Sequence, residues 1–71
     1  MNEGEGISLP RHLRDVAELL AAGKNNHEMA ETLCLALNTI EKRVSELKQR
    51  LEARDRVDLV DRCRKLGSGL P

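Results

Sequence analysis

Residues 23–51, GKNNHEMAETLCLALNTIEKRVSELKQRL, decide the fold of this 71-residue chain. The first part of this stretch predicts a short helix that begins after Asn25. Asn25 and Glu28 have the spacing of a capping box, in which each side chain accepts a hydrogen bond from the backbone N–H of the other residue. We expect this helix to end near Cys34 and to bury a small apolar face made of Met29, Ala30 and Leu33.

The second part predicts a longer helix from about Asn38 to Glu52, after a turn at residues 35–37. Its apolar residues recur at intervals of four, three and four positions, which gives a narrow seam along one side: Ile40, Val44, Leu47 and Leu51. A short capped helix, a tight turn and a longer helix with a one-sided seam are typical of a helix-turn-helix motif. In that motif the second helix lies in the major groove of DNA and the first crosses the backbone.

Amphipathic spacing predicts a further helix before this pair. It runs from about Pro10 to Ala22, with Ser8 as its expected N-cap and Gly23 as its stop. Its apolar stripe follows the helical repeat and consists of Leu13, Val16, Ala17 and Leu20.

A last helix is predicted to begin at the N-cap Asp55 and to stop at Gly67. Asp58 falls in its first turn, where the helix dipole favours a negative charge. The expected apolar stripe is Leu59, Val60, Cys63 and Leu66. Basic side chains crowd the last turn, where they complement the dipole: Arg62, Arg64 and Lys65.

These elements predict an all-α protein with four helices in one domain, at residues 8–67. The Gly- and Glu-rich residues 1–7 predict a disordered arm, and residues 68–71 predict a flexible tail. The chain has no Phe, Tyr or Trp, so aliphatic side chains must build the core. Such side chains suit helix packing better than strand packing.

Composition argues against a membrane or secreted protein. No apolar run approaches the ~20 residues that span a bilayer. The N-terminus lacks the basic and apolar regions of a signal peptide. We therefore expect a cytoplasmic protein, in which Cys34 and Cys63 are reduced and buried as small hydrophobic residues.

Catalysis and metal binding are also not expected. His12 and His27 are too far apart in the sequence to complete a Cys/His zinc pattern, so we expect neither metal nor cofactor. The chain shows no nucleophile beside a base, no carboxylate pair in an apolar pocket and no Gly-rich phosphate loop. We therefore do not expect an enzyme.

The net charge of zero conceals an uneven distribution of charge. Residues 1–37 carry three basic and six acidic side chains, whereas residues 38–71 carry nine basic and six acidic side chains. A basic half can mark a surface that binds nucleic acid, and an ordinary mixed surface is the alternative.

Four segments in register resemble the LuxR-type (GerE-like) helix-turn-helix family. They are LLAAG at 19–23, GKNNHEMAETL at 23–33, TIEKRV at 39–44 and RLEARDR at 50–56. The resemblance covers Leu9 to Gly67. It implies a four-helix DNA-binding domain of a transcriptional regulator.

The chain departs from the family pattern at several positions. The family's Leu-Thr-x-Arg-Glu start is replaced by LPRHL at residues 9–13. Ala36 stands where a Ser commonly caps the long helix, which forfeits ~1 kcal/mol of capping. Glu41 replaces a frequent Lys, and Arg43 replaces a His.

The resemblance also implies roles for particular residues on double-stranded DNA. Residues expected near phosphates at helix starts are Asn25, Asn26, His27 and Thr39. Residues expected at base edges are Glu41, Lys42 and Ser45. Further phosphate contacts are expected from Arg43, Lys48 and Arg50, with packing as the alternative role of Arg43.

The family dimerises through its last helix, which implies a homodimer here. The expected interface residues share one side of that helix: Val57, Val60, Asp61 and Arg64. The alternative for Val60 is that it completes the core. Arg56 is expected to tie the last helix to the long one, with a solvated surface arginine as the alternative.

The sequence thus predicts a sequence-specific regulator of transcription with an upstream regulatory domain or a protein partner as a possible addition. The alternative is a protein-interaction module with the same fold and no DNA binding. Zero net charge and Glu41 at an expected base-contact position favour that alternative, because phosphate contacts supply much of the affinity of DNA-binding proteins.

Overall fold

The computed structural model describes residues 9–68, which form four α-helices and no strand. They are α1 (Arg11–Ala21), α2 (Asn26–Leu33), α3 (Leu37–Leu51) and α4 (Arg56–Ser68). The all-α prediction is confirmed, and each predicted helix is present. Ser8, the predicted arm and residues 69–71 lie outside the described residues, and α1 begins after Pro10 without a side-chain cap.

The turn that ends α1 depends on Gly23. Its φ of +87° lies in the left-handed region that glycine adopts without steric cost. The N–H of Gly23 donates to the carbonyl of Leu20, and the N–H of Lys24 donates to that of Leu19, both at 3.0 Å. These two bonds form a Schellman motif, which confirms the predicted stop at Gly23.

The predicted capping box begins α2. Asn25 Oδ1 accepts from the N–H of Glu28 at 2.8 Å, and Glu28 Oε1 accepts from the N–H of Asn25 at 2.9 Å. The helix ends at Cys34, whose φ of 57° is left-handed. The N–H of Leu35 then donates to the carbonyl of Ala30 at 2.9 Å, so this short turn closes as a second Schellman motif.

The start of α4 is fixed by two aspartates. Asp55 Oδ1 accepts from the N–H of Asp58 at 2.8 Å, as its predicted role as N-cap requires. The Asp58 carboxylate accepts from the N–H of Arg54 and from the Arg62 side chain, and both bonds lower its pKa. The predicted stop at Gly67 was wrong, because α4 continues through it to Ser68. A glycine in a last turn costs at most ~1 kcal/mol, too little to end a helix by itself.

One apolar core joins the helices. The side chains that are fully or almost fully buried are Leu13, Val16, Leu20, Met29, Ile40, Leu47, Leu51, Leu59 and Cys63. α1 packs against α3 and α4, while α2 packs against α3. Because the seam of α3 is enclosed in this way, its opposite side is left to solvent. No helix within residues 9–68 is long and apolar enough to cross a membrane.

The two cysteines differ in their surroundings. Cys63 is buried, as predicted, and this burial raises the pKa of its thiol. The prediction of a buried Cys34 was wrong, because Cys34 is exposed. Cys34 occupies the left-handed position that ends α2, beyond the turn that contributes the apolar face, so its side chain does not reach the core.

Candidate nucleic-acid interface

The exposed side of α3 carries an unbroken row of polar side chains. A helix turns about 100° per residue, so residues opposite the buried seam recur every three or four positions. We call this row of side chains the α3 ridge. Its members also line a shallow surface groove: Asn38, Glu41, Lys42, Ser45, Glu46 and Gln49. The ridge includes Glu41, Lys42 and Ser45, the three residues that the sequence predicted at base edges.

Asn38 and Gln49 are members of the ridge that the sequence analysis missed. Each lies four positions from a predicted member, Asn38 before Lys42 and Gln49 after Ser45, so helical spacing could have found both. Both are exposed, and neither side chain has a hydrogen-bond partner among residues 9–68. Side-chain amides of this kind can form bidentate hydrogen bonds with adenine in the major groove.

Three of the predicted phosphate contacts of α3 flank the ridge. Arg43 and Lys48 are half-buried, at opposite edges of the apolar seam. Arg50 is exposed, and its Nε donates to Glu46 Oε2 at 3.4 Å. Glu46 Oε1 also lies 3.5 Å from His12 Nε2 on α1. Arg50 is therefore partly neutralised on its own helix, whereas no ion pair of Lys42 or Lys48 occurs in the described chain.

At the start of α2, backbone N–H groups are more available to a ligand than side chains are. The capping box occupies the side chain of Asn25 and satisfies the N–H groups of Asn25 and Glu28. The next two N–H groups, those of Asn26 and His27, have no acceptor among the described residues. Free N–H groups at a helix start are suited to bind a phosphate. Thr39 lies half-buried in the first turn of α3.

Arg56 binds a different helix from the one predicted. Its Nη1 donates to Asn26 Oδ1 at 2.8 Å, and its Nη2 donates to the carbonyl of Lys24 at 3.3 Å. The prediction of a tie to α3 was wrong, because these contacts tie α4 to the start of α2. No local spacing pattern indicates this partner, which is 30 positions away in the sequence.

The predicted interface residues of α4 lie together on the surface. Val57, Val60, Asp61 and Arg64 line one open groove. Val57 is 80% exposed, the largest exposure of a large hydrophobic residue in the described chain. Val60 is half-buried against the core, so it serves packing as well. Arg64 also donates from Nε to the carbonyl of Ala21 at 3.0 Å.

Metal binding finds no support in the described residues. Within residues 9–68, no group of three or more His, Cys, Asp or Glu side chains is placed to hold a metal ion.

The amino-acid sequence matches a known protein family over most of its length. Residues 8–63 match the family described as bacterial regulatory proteins, luxR family. The chain therefore belongs to the luxR family, and its four helices are a helix-turn-helix domain of the kind that binds DNA in transcriptional regulators. It is similar to the transcriptional regulatory protein DesR of Bacillus subtilis, with 32% identity over 54 residues. That alignment covers 76% of this chain and 27% of DesR, so the chain spans about a quarter of that relative. No solved structure shows a significant match.

Proposed function

We propose that this domain regulates transcription by binding double-stranded DNA, with α3 in the major groove and two copies paired through α4. The observation that carries this proposal is the α3 ridge. Its side chains are exposed because the opposite seam is buried, and most of them have no partner in the described chain. A helix with one buried edge and one free polar edge has the form that major-groove insertion requires.

Phosphate contacts would fix the register of the domain on DNA. The N–H groups of Asn26 and His27 supply one anchor at the start of α2. Lys48 and Arg43 supply others from the edges of α3, and Arg50 can join them when it leaves Glu46. Such contacts orient α3 and carry no sequence information themselves.

Base contacts would come from the ridge. Lys42 can donate to guanine O6 or N7, and Glu41 can accept from the amino group of cytosine. Ser45 can contact either kind of base pair. The two carboxylates of the ridge, Glu41 and Glu46, repel phosphates, so we expect modest affinity for random DNA and a strong dependence on the correct base pairs.

Pairing through α4 would place two copies on two half-sites. Val57 is an exposed apolar side chain rimmed by Asp61 and Arg64, and a two-fold contact can bring opposite charges together around it. Sedimentation measurements should show a concentration-dependent dimer that Val57→Asp abolishes. A wild-type protein that stays monomeric on a two-half-site duplex would remove the dimer from the proposal.

The proposal also implies where the domain acts and what else it needs. DNA binding places the domain in the bacterial cytoplasm, with the chromosome. Because the chain spans about a quarter of DesR, an upstream regulatory domain or a separate protein partner would supply the signal.

A protein-interaction module with the same fold is the second candidate, and the two carboxylates on the ridge favour it. A salt titration with labelled mixed-sequence duplex separates the two candidates. We expect binding at ~50 mM salt that weakens steeply as salt rises, because bound phosphates release counterions. Glu41→Lys should strengthen this non-specific binding. If the protein at tens of micromolar shifts no duplex at ~50 mM salt, DNA binding is refuted and a protein partner should be sought.

A further inference from the structure

We propose that Arg56 is a positioning residue for DNA binding: from α4 it holds the first turn of α2 where the free N–H groups of that turn meet a phosphate. This inference rests on the proposed function. It assigns to a residue of α4 a role that is exerted through Asn26 of α2.

The geometry of the contact carries the inference. The two acceptors of Arg56, Asn26 Oδ1 and the carbonyl of Lys24, stand on either side of the N-cap Asn25. One rigid, planar guanidinium therefore bridges the residue before the N-cap and the residue after it. A lysine carries the same charge at a single point and cannot bond both acceptors in this fork geometry.

The residue that Arg56 holds also belongs to the candidate phosphate anchor. Asn26 accepts from Arg56 with its side chain, while its backbone N–H has no partner in the described chain. The capping box fixes the first turn of α2 internally, through Asn25 and Glu28. Arg56 fixes that same turn relative to α4, which the capping box cannot do.

A second arginine of α4 acts at the other end of the same connection. Arg64 donates to the carbonyl of Ala21, the last residue of α1, at 3.0 Å. The connection between α1 and α2 is therefore bonded to α4 both where it starts and where it ends. This arrangement limits the movement of the α2 start. A phosphate anchor requires such a fixed position.

Arg56→Ala and Arg62→Ala form a matched pair of variants. Each removes one positive charge from an exposed position of α4, but Arg62 bonds Asp58 of its own helix at 3.1 Å. We expect Arg56→Ala to weaken DNA binding by about tenfold, the worth of a hydrogen bond to a charged group. Arg62→Ala should change the affinity by less than about threefold.

Arg56→Lys separates positioning from charge. Positioning predicts that Arg56→Lys binds DNA as weakly as Arg56→Ala, and that adding Asn26→Ala to Arg56→Ala causes no further loss. A direct contact between Arg56 and DNA predicts that lysine restores binding. Restored binding, or additive losses in the double variant, overturns the inference.

Hydrogen exchange tests the same role without DNA. The amide of Met29 donates to the carbonyl of Asn25 at 3.0 Å and reports on the first turn of α2. Its exchange should accelerate in Arg56→Ala and Arg56→Lys by more than the loss of global stability accounts for, and stay as in wild type in Arg62→Ala. Unchanged exchange in both Arg56 variants overturns the inference alone, whereas a wild type that binds no duplex overturns the proposed function.

Discussion

The two helices of the helix-turn-helix motif are held in place by different means. α2 is short, with eight residues, and has one fully buried side chain, Met29, so polar bonds at its start contribute much of its positioning: a complete capping box and the Arg56 contact. α3 is nearly twice as long, with 15 residues, and begins after Ala36, which provides no side-chain cap. Its position depends on a seam of buried aliphatic side chains along its whole length.

This difference matches what each helix has to offer to DNA. The start of α2 presents backbone N–H groups, whose position must be fixed at one point. The exposed edge of α3 presents side chains over several turns, which must stay unpaired to be available. Holding α3 from its buried side leaves most side chains of its ridge free, and fixing α2 at its start leaves two N–H groups without a partner in the described chain. The following predictions test this contrast, from the largest expected effect to the smallest.

The strongest effect should come from the seam of α3. Leu47→Ala should lower the free energy of unfolding by ~2–5 kcal/mol, because Leu47 is fully buried and the surrounding helices cannot fully close the cavity. Chemical denaturation followed by circular dichroism measures this change. Ser45→Ala, on the exposed edge of the same helix, is the control and should change stability by no more than ~0.5 kcal/mol. Equal effects of the two variants would contradict the division of α3 into a buried and an exposed side.

The two cysteines report on the exposed turn that ends α2 and on the core. Cys34 should react with a thiol reagent in the native protein at the rate of an exposed thiol. Cys63 should react roughly 100-fold more slowly, because it is buried and its raised pKa leaves less thiolate. Mass spectrometry of the labelled protein distinguishes the two sites. Rapid labelling of Cys63 under native conditions would contradict the core assignment.

α2 has a side-chain cap and α3 has none. Substitutions at their N-cap positions should therefore change the stability of the domain in opposite directions. Asn25→Ala should destabilise the domain by ~1 kcal/mol, since it removes the acceptor of the capping box. Ala36→Ser should stabilise it by up to ~1 kcal/mol, because it supplies the side-chain cap that α3 lacks. Thermal melts of both variants measure these changes. A loss of stability in Ala36→Ser would show that the start of α3 cannot use a cap.

Local sequence patterns were enough to predict most of this fold. The capping box of Asn25 and Glu28, the stop at Gly23 and the seam of α3 each depend on spacings within a few residues, and all three are present. Cys34 was mistaken for a core residue because its apolar neighbours suggested burial. Its exposure depends on the left-handed conformation of Cys34 at the end of α2. The sequence does not indicate this conformation, because no glycine stands at that position.

Contacts between distant helices were the part that the sequence could not predict. The partner of Arg56 depends on how α4 crosses the start of α2, which follows from the packing of the whole core. In contrast, Asn38 and Gln49 could have been found, because they continue the spacing of Lys42 and Ser45. The roles of these residues on DNA remain predictions that binding measurements must test.

The most direct test of the central claim compares Lys42→Ala with Lys48→Ala on a preferred duplex and on random DNA. The preferred duplex is obtained by selection from a random pool with the wild-type protein. If α3 lies in the major groove, Lys42→Ala should cost ~1–3 kcal/mol on the preferred duplex and little on random DNA. Lys48→Ala should weaken both alike and lower the salt slope by ~1. Equal behaviour of the two variants on both duplexes would contradict the insertion of the α3 ridge into the groove.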